Sequence, residues 1–81
     1  MYLHICKNII IKKENIIGIF DIETLKDTKE YNNIYDNLIK NDNIIDISEG
    51  IKKSLILTKE NEKYKGYISN ISVTTLEKRA K

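Results

Sequence analysis

Gly50-Ile51-Lys52-Lys53-Ser54-Leu55-Ile56-Leu57-Thr58 sets a turn glycine, two adjacent cations and a short apolar run side by side. The run Ser54 to Thr58 has the length and composition of a buried strand. Gly50 permits the tight turn before it. Lys52 and Lys53 therefore sit on a turn at the end of a sheet, where positive charge held by rigid backbone suits an anion such as phosphate.

Moving toward the C-terminus, Lys59 to Lys63 is a charged hairpin connection, and Tyr64 to Ile68 returns as a strand. Ser72 is placed to cap a short helix, Val73 to Arg79. Toward the N-terminus, Ile44 to Ser48 alternates apolar and polar and reads as a strand. Asn41-Asp42-Asn43 ends a helix, because these side chains compete for backbone hydrogen bonds and tolerate turn geometry. That helix starts near Asp27, which has capping-box spacing to Glu30. Tyr31, Ile34, Tyr35, Leu38 and Ile39 fall on its apolar face, and Asn32, Asn33, Asp36, Asn37 and Lys40 on the other.

Ile16 to Ile22 is the strongest strand, nearly continuous in apolar character. It calls for cover on both faces, by a helix on one side and a second subunit on the other. Gly18 within it marks a bulge or a close backbone approach. Lys13-Glu14-Asn15 is a polar turn, Ile9 to Lys12 a β-branched strand and Tyr2 to Cys6 a first strand. The predicted fold is α+β: a small, mostly antiparallel sheet with one central helix and a short C-terminal helix.

Eighty-one residues make one domain, 1–81. A domain of this size buries only ~60% of the surface its unfolded chain exposes. Cys6 is the sole cysteine, so no intrachain disulfide can help, and a lone thiol fits a reducing cytosol. Homo-oligomerisation is the expected support. Residues 1–4 lack the basic start of a signal peptide. The longest apolar run, Ile16 to Phe20, is far short of the ~20 residues that span a bilayer. A cytoplasmic protein with no membrane partner is expected.

The net charge is only +2, but it is uneven. Residues 1–49 hold six lysines and nine carboxylates, a net −3; residues 50–81 hold eight Lys or Arg and three Glu, a net +5. A basic C-terminal half points to an anionic partner that touches part of the surface.

Enzyme chemistry finds little support. His4 and Cys6 lie two apart on a strand, half of a metal site, yet no second histidine or cysteine completes the four ligands zinc prefers. The carboxylates are dispersed, and glycines 18, 50 and 66 are too far apart to form a phosphate-cradling loop. No catalytic residue, cofactor or small-molecule substrate is expected. The cations form the one pattern with a chemical use. Lys52 and Lys53 come first, Lys13 (beside Lys12) second, and Lys78 and Arg79 (with Lys81) third. Each alone is an ordinary solvated charge. Repeated around an oligomer, they form a discontinuous track for duplex DNA, where each neutralised phosphate releases counterions. Tyr31 and Tyr35 lie on an apolar helix face and read as core.

Four segments carry a family resemblance: Met1-Tyr2-Leu3-His4, Asn15-Ile16-Ile17-Gly18-Ile19-Phe20-Asp21, Lys53-Ser54-Leu55-Ile56-Leu57-Thr58 and Thr75-Leu76-Glu77-Lys78-Arg79. Their order and separation resemble the extracellular matrix regulatory proteins, RemA/RemB-like, and most of all the RemB branch. The resemblance covers essentially the whole chain, with the 27–43 helix most divergent. It implies a ring-forming, LytTR-like, DNA-binding regulator of biofilm matrix genes. RemA-type proteins have an arginine in the first turn, where Glu14 and Asn15 stand here, and arginines after the glycine, where Ile51 and Lys52 stand. Lysine attracts phosphate without arginine's bidentate fork, which implies weaker and less base-specific DNA contact. The alternative is a ring-forming interaction protein that pairs with a DNA-binding paralogue and binds no DNA itself. In both cases residues 16–20 (Ile16, Ile17, Gly18, Ile19, Phe20) are the expected subunit contact.

Overall fold

The computed structural model of the protein describes residues 1–6 and 8–80; Lys81, grouped above with Lys78 and Arg79, lies outside them. The buried run becomes strand β5 (Ser54–Glu60), the centre of the molecule. Its residues 54 to 58 are all buried. β5 pairs antiparallel with β3 (Ile16–Asp21) on one side and β6 (Lys63–Ser69) on the other, and β4 (Ile44–Asp46) joins β6 in parallel. The strand order is β3-β5-β6-β4. A separate two-stranded sheet comes from β1 (Tyr2–Cys6) and β2 (Ile9–Lys12), joined to β3 by a 3-10 turn, Lys13–Asn15. The architecture is thus α+β and mostly antiparallel, as expected, but it holds two sheets in place of one.

Side-chain alternation along β5 divides the core. Ile56 faces Leu3, Ile5 and Ile11 of the small sheet and Leu76 of the C-terminal helix α3 (Val73–Arg79). Leu55 faces the other way, toward Ile68, Tyr31 and Ile22. Tyr31 belongs to α2 (Lys29–Lys40) and Ile22 to a one-turn helix α1 (Ile22–Leu25). The large sheet lies between α2 on one face and β1, β2 and α3 on the other.

Gly66 sets how closely α2 can approach. A Cβ there would lie 2.8 Å from Leu38 Cδ1 and 3.0 Å from Leu55 Cδ1. Gly18 marks the expected bulge, with the Phe20 ring packed over it. The β3–β5 register slips between Ile16 and Gly18, and a Cβ at Gly18 would lie 3.0 Å from Phe20 Cζ.

Several boundaries differ from the sequence expectation. α2 begins at Lys29, because Thr28 Oγ1, and not Asp27, accepts from Tyr31 N–H at 3.2 Å. Ile22 opens α1 instead of closing the strand, because Asp21 accepts from Glu23 N–H and Thr24 hydroxyl. Ile39 is 53% exposed: it sits ~100° around the helix from Leu38, off the stripe that meets the sheet. β4 stops at Asp46, where the chain enters a tight reversal. β5 and β6 run further than expected, to a two-residue turn at Asn61 and Glu62, both at positive φ. β3 is a sheet edge, and within the chain it is only partly covered, with Ile17 52% exposed.

Candidate nucleic-acid interface

The reversal before β5 gives the lysine pair its geometry. Glu49 and Gly50 adopt φ of 55° and 95°, and Ile51 N–H donates to the Ser48 carbonyl at 3.2 Å. This is a type I′ pattern, which needs left-handed backbone at both central positions. Lys53 N–H then donates to Ser69 O (2.9 Å), and Lys53 O accepts from Ile22 N–H (3.1 Å). The backbone under the lysines is therefore pinned between β6 and α1, while Lys52 and Lys53 are both exposed. A hydrogen-bonded backbone under two exposed lysines matches the turn expected at the end of the sheet.

The surroundings are of mixed sign. A cleft of about 490 Å³ is lined by Lys52 and Lys53, by Ser72, Val73 and Thr74 at the start of α3, by Ile51, and by Asp21 and Glu23. Ser72 Oγ accepts from Thr75 N–H, so the cap expected for α3 forms, and the helix runs over the expected residues. Lys52 Nζ stands 4.0 Å from Asp46 Oδ2. The other oxygen, Oδ1, accepts from Ser48 hydroxyl (2.6 Å) and Ser48 N–H (2.9 Å). These two bonds hold the Asp46 carboxyl below its ordinary range, with Lys52 adding a smaller pull.

The remaining expected cations lie at the far end of α3, whose seven residues span ~10 Å. Two of them bind within the chain. Lys13 Nζ donates to the Ala80 carbonyl, and Arg79 Nη1 donates to the His4 carbonyl at 3.2 Å. Both tie the N-terminal strands to the C-terminal helix. Lys78 is exposed. The structure thus places Lys52 and Lys53 near the start of α3, and Lys13, Lys78 and Arg79 near its end.

Part of the charge excess lies elsewhere. Lys59, Lys63 and Lys65 occupy the β5–β6 hairpin, roughly 20 Å along β5 from Lys53. The charge count of the C-terminal half contained this cluster, but charge counting does not say which cations share a surface. Lys59 Nζ lies 5.3 Å from the Tyr64 ring centroid. Tyr31 and Tyr35 stack on each other with centroids 6.0 Å apart, and burial pushes the Tyr31 hydroxyl up. Tyr31 is buried in the core, and Tyr35 packs half-buried against it. The β1–β2 register slips between His4 and Cys6. Among the described residues no three His, Cys, Asp or Glu side chains gather as a metal site would require. No helix among them is long and apolar enough to cross a membrane.

The class defined by these features is a small two-sheet α+β protein with one group of cations near each end of a short helix and a third at a hairpin. A family model described as Extracellular matrix regulatory protein A-like matches residues 2–80, and the chain belongs to this RemA-like family. No curated protein matches it.

Proposed function

We propose that the chain is a homo-oligomeric cytoplasmic regulator of extracellular matrix genes that contacts duplex DNA mainly through backbone phosphates. The observation that carries this is the lysine loop. Lys52 and Lys53 are exposed, adjacent and rooted in a doubly hydrogen-bonded backbone. Membership of an extracellular matrix regulatory family supports the regulatory part. The absence of the RemA-pattern arginines, with Glu14 and Asn15 in the first turn and Ile51 and Lys52 after the glycine, favours the RemB branch, and a LytTR-like strand arrangement belongs to the same proposal. Residues 16–20 supply the subunit contact, because β3 is a sheet edge with a half-exposed isoleucine at its bulge. Lys53 and Lys78 are the foremost phosphate contacts, since Lys13, Arg79 and Lys52 each have a partner inside the chain. The role needs no catalytic step and no cofactor. Charge reversal at both Lys52 and Lys53 should weaken binding to a labelled duplex severalfold at low salt while the chain stays folded by circular dichroism. Undiminished binding by the Lys52→Glu/Lys53→Glu variant refutes the assignment.

A second reading is favoured by those same intramolecular contacts and by Asp21 and Glu23 in the lysine cleft. In it the chain assembles with itself or a DNA-binding paralogue and touches no DNA. The duplex titration separates the two readings, and a monomer at micromolar concentration by light scattering removes the self-assembled ring from both.

A further inference from the structure

Asp46 is held more firmly than its half-exposed position requires. Ser48, which grips its Oδ1 through both N–H and hydroxyl, is fully buried, so the two donors are fixed in place. The type I′ turn then returns the chain so that Lys52 Nζ comes to 4.0 Å from Oδ2, the oxygen Ser48 leaves open. The two side chains remain 49% and 43% exposed. Such a pair opens readily. Lys53, one residue on, has no carboxylate at ion-pair distance among the described residues.

We infer that Asp46 is an internal competitor for the lysine loop, occupying the place at Lys52 that a phosphate must take and thereby limiting the loop's affinity for polyanions. The inference rests on the phosphate-contacting role proposed above. The two lysines then differ. Lys53 makes first contact, and Lys52 engages only when a phosphate outcompetes a carboxylate already fixed beside it. The Ser48 bonds matter because they keep the carboxylate from swinging away when the phosphate arrives. Its charge remains as a standing repulsion, repeated in every engaged subunit.

The test compares duplex-DNA affinity at fixed salt for wild type, Asp46→Asn, Glu49→Gln, Lys52→Met and the Asp46→Asn/Lys52→Met pair. Asparagine keeps an oxygen for Ser48, so the turn should survive; Asp46→Ser is the second variant should it not. Asp46→Asn should tighten binding about threefold per engaged subunit, the size of an exposed ion pair's contribution. Glu49→Gln removes the same charge from the same turn without touching Lys52 and should tighten it less. In the Lys52→Met background Asp46→Asn should gain no more than Glu49→Gln gains in the wild type, because only the general loss of negative charge is left. Equal gains from Asp46→Asn and Glu49→Gln, or a gain that persists in full without Lys52, overturns the inference and leaves the DNA-binding proposal standing. Absence of binding by wild type and Asp46→Asn alike at low salt overturns both.

Discussion

Gly66→Ala is a sharp test of how α2 is seated on the sheet. The new methyl would meet Leu38 Cδ1 at 2.8 Å, Leu55 Cδ1 at 3.0 Å and Ile44 Cδ1 at 3.4 Å. Leu55 is fully buried and Leu38 nearly so, so two of the three neighbours have little room to yield. Overpacking a filled core costs about 1–3 kcal/mol. Replacing a strand glycine by alanine recovers roughly 0.5–1 kcal/mol of backbone entropy. The net loss should be about 1–2 kcal/mol, or ~5–15 °C in Tm for a chain of this size. Urea unfolding followed by circular dichroism reads the change, with an unaltered slope showing that the unfolded state is unaffected. The partner variant Leu38→Ala removes the closest contact, so Gly66→Ala should cost measurably less in that background than alone. Equal stability of wild type and Gly66→Ala, or equal costs in the two backgrounds, refutes the close seating of α2 against β6.

Thr28→Ala removes the hydroxyl that caps α2 and bonds the Leu25 carbonyl; a loss of about 1 kcal/mol in urea unfolding is expected, while Asp27→Ala should cost clearly less. Lys13→Met removes the link to the Ala80 carbonyl; for a half-buried charged hydrogen bond about 1 kcal/mol is expected, and amide exchange should quicken first at the end of α3. Because the folded Asp46 carboxyl titrates below its ordinary value of 3.8, its contribution to stability is fully present above that pH. It is lost as pH falls through the lower folded value, so Asp46→Asn should flatten the acid limb of the stability curve below pH ~4.

The parts of the fold legible in the sequence were those with strong local signals. The apolar run 54–58 marked the central strand, and Ser72 with the periodicity after it marked α3 to its last residue. Gly18 announced a bulge because a strand has few other uses for glycine. The misses had local competitors. α1 was hidden because Ile22 continues an apolar run, although Asp21 with Thr24 three residues on was a readable cap. Thr28 and Asp27 are both plausible caps, and only the path of the chain out of α1 decides between them. The division into two sheets depends on pairings between distant strands, which no local pattern encodes. The site shows the same limit. The lysine loop was visible as Gly-x-Lys-Lys, but Lys13 and Arg79 donate to carbonyls 67 and 75 residues away in sequence. A long cationic side chain that satisfies a distant backbone group looks, in sequence, like one that faces solvent.

The most direct measurement is the salt dependence of duplex-DNA affinity for the wild-type chain and for Lys52→Glu/Lys53→Glu. The account predicts that the logarithm of the wild-type constant falls linearly with that of salt, by about 0.9 for each phosphate neutralised. It predicts a markedly shallower line for the variant. A wild-type affinity indifferent to salt, or two lines of the same slope and height, would contradict it.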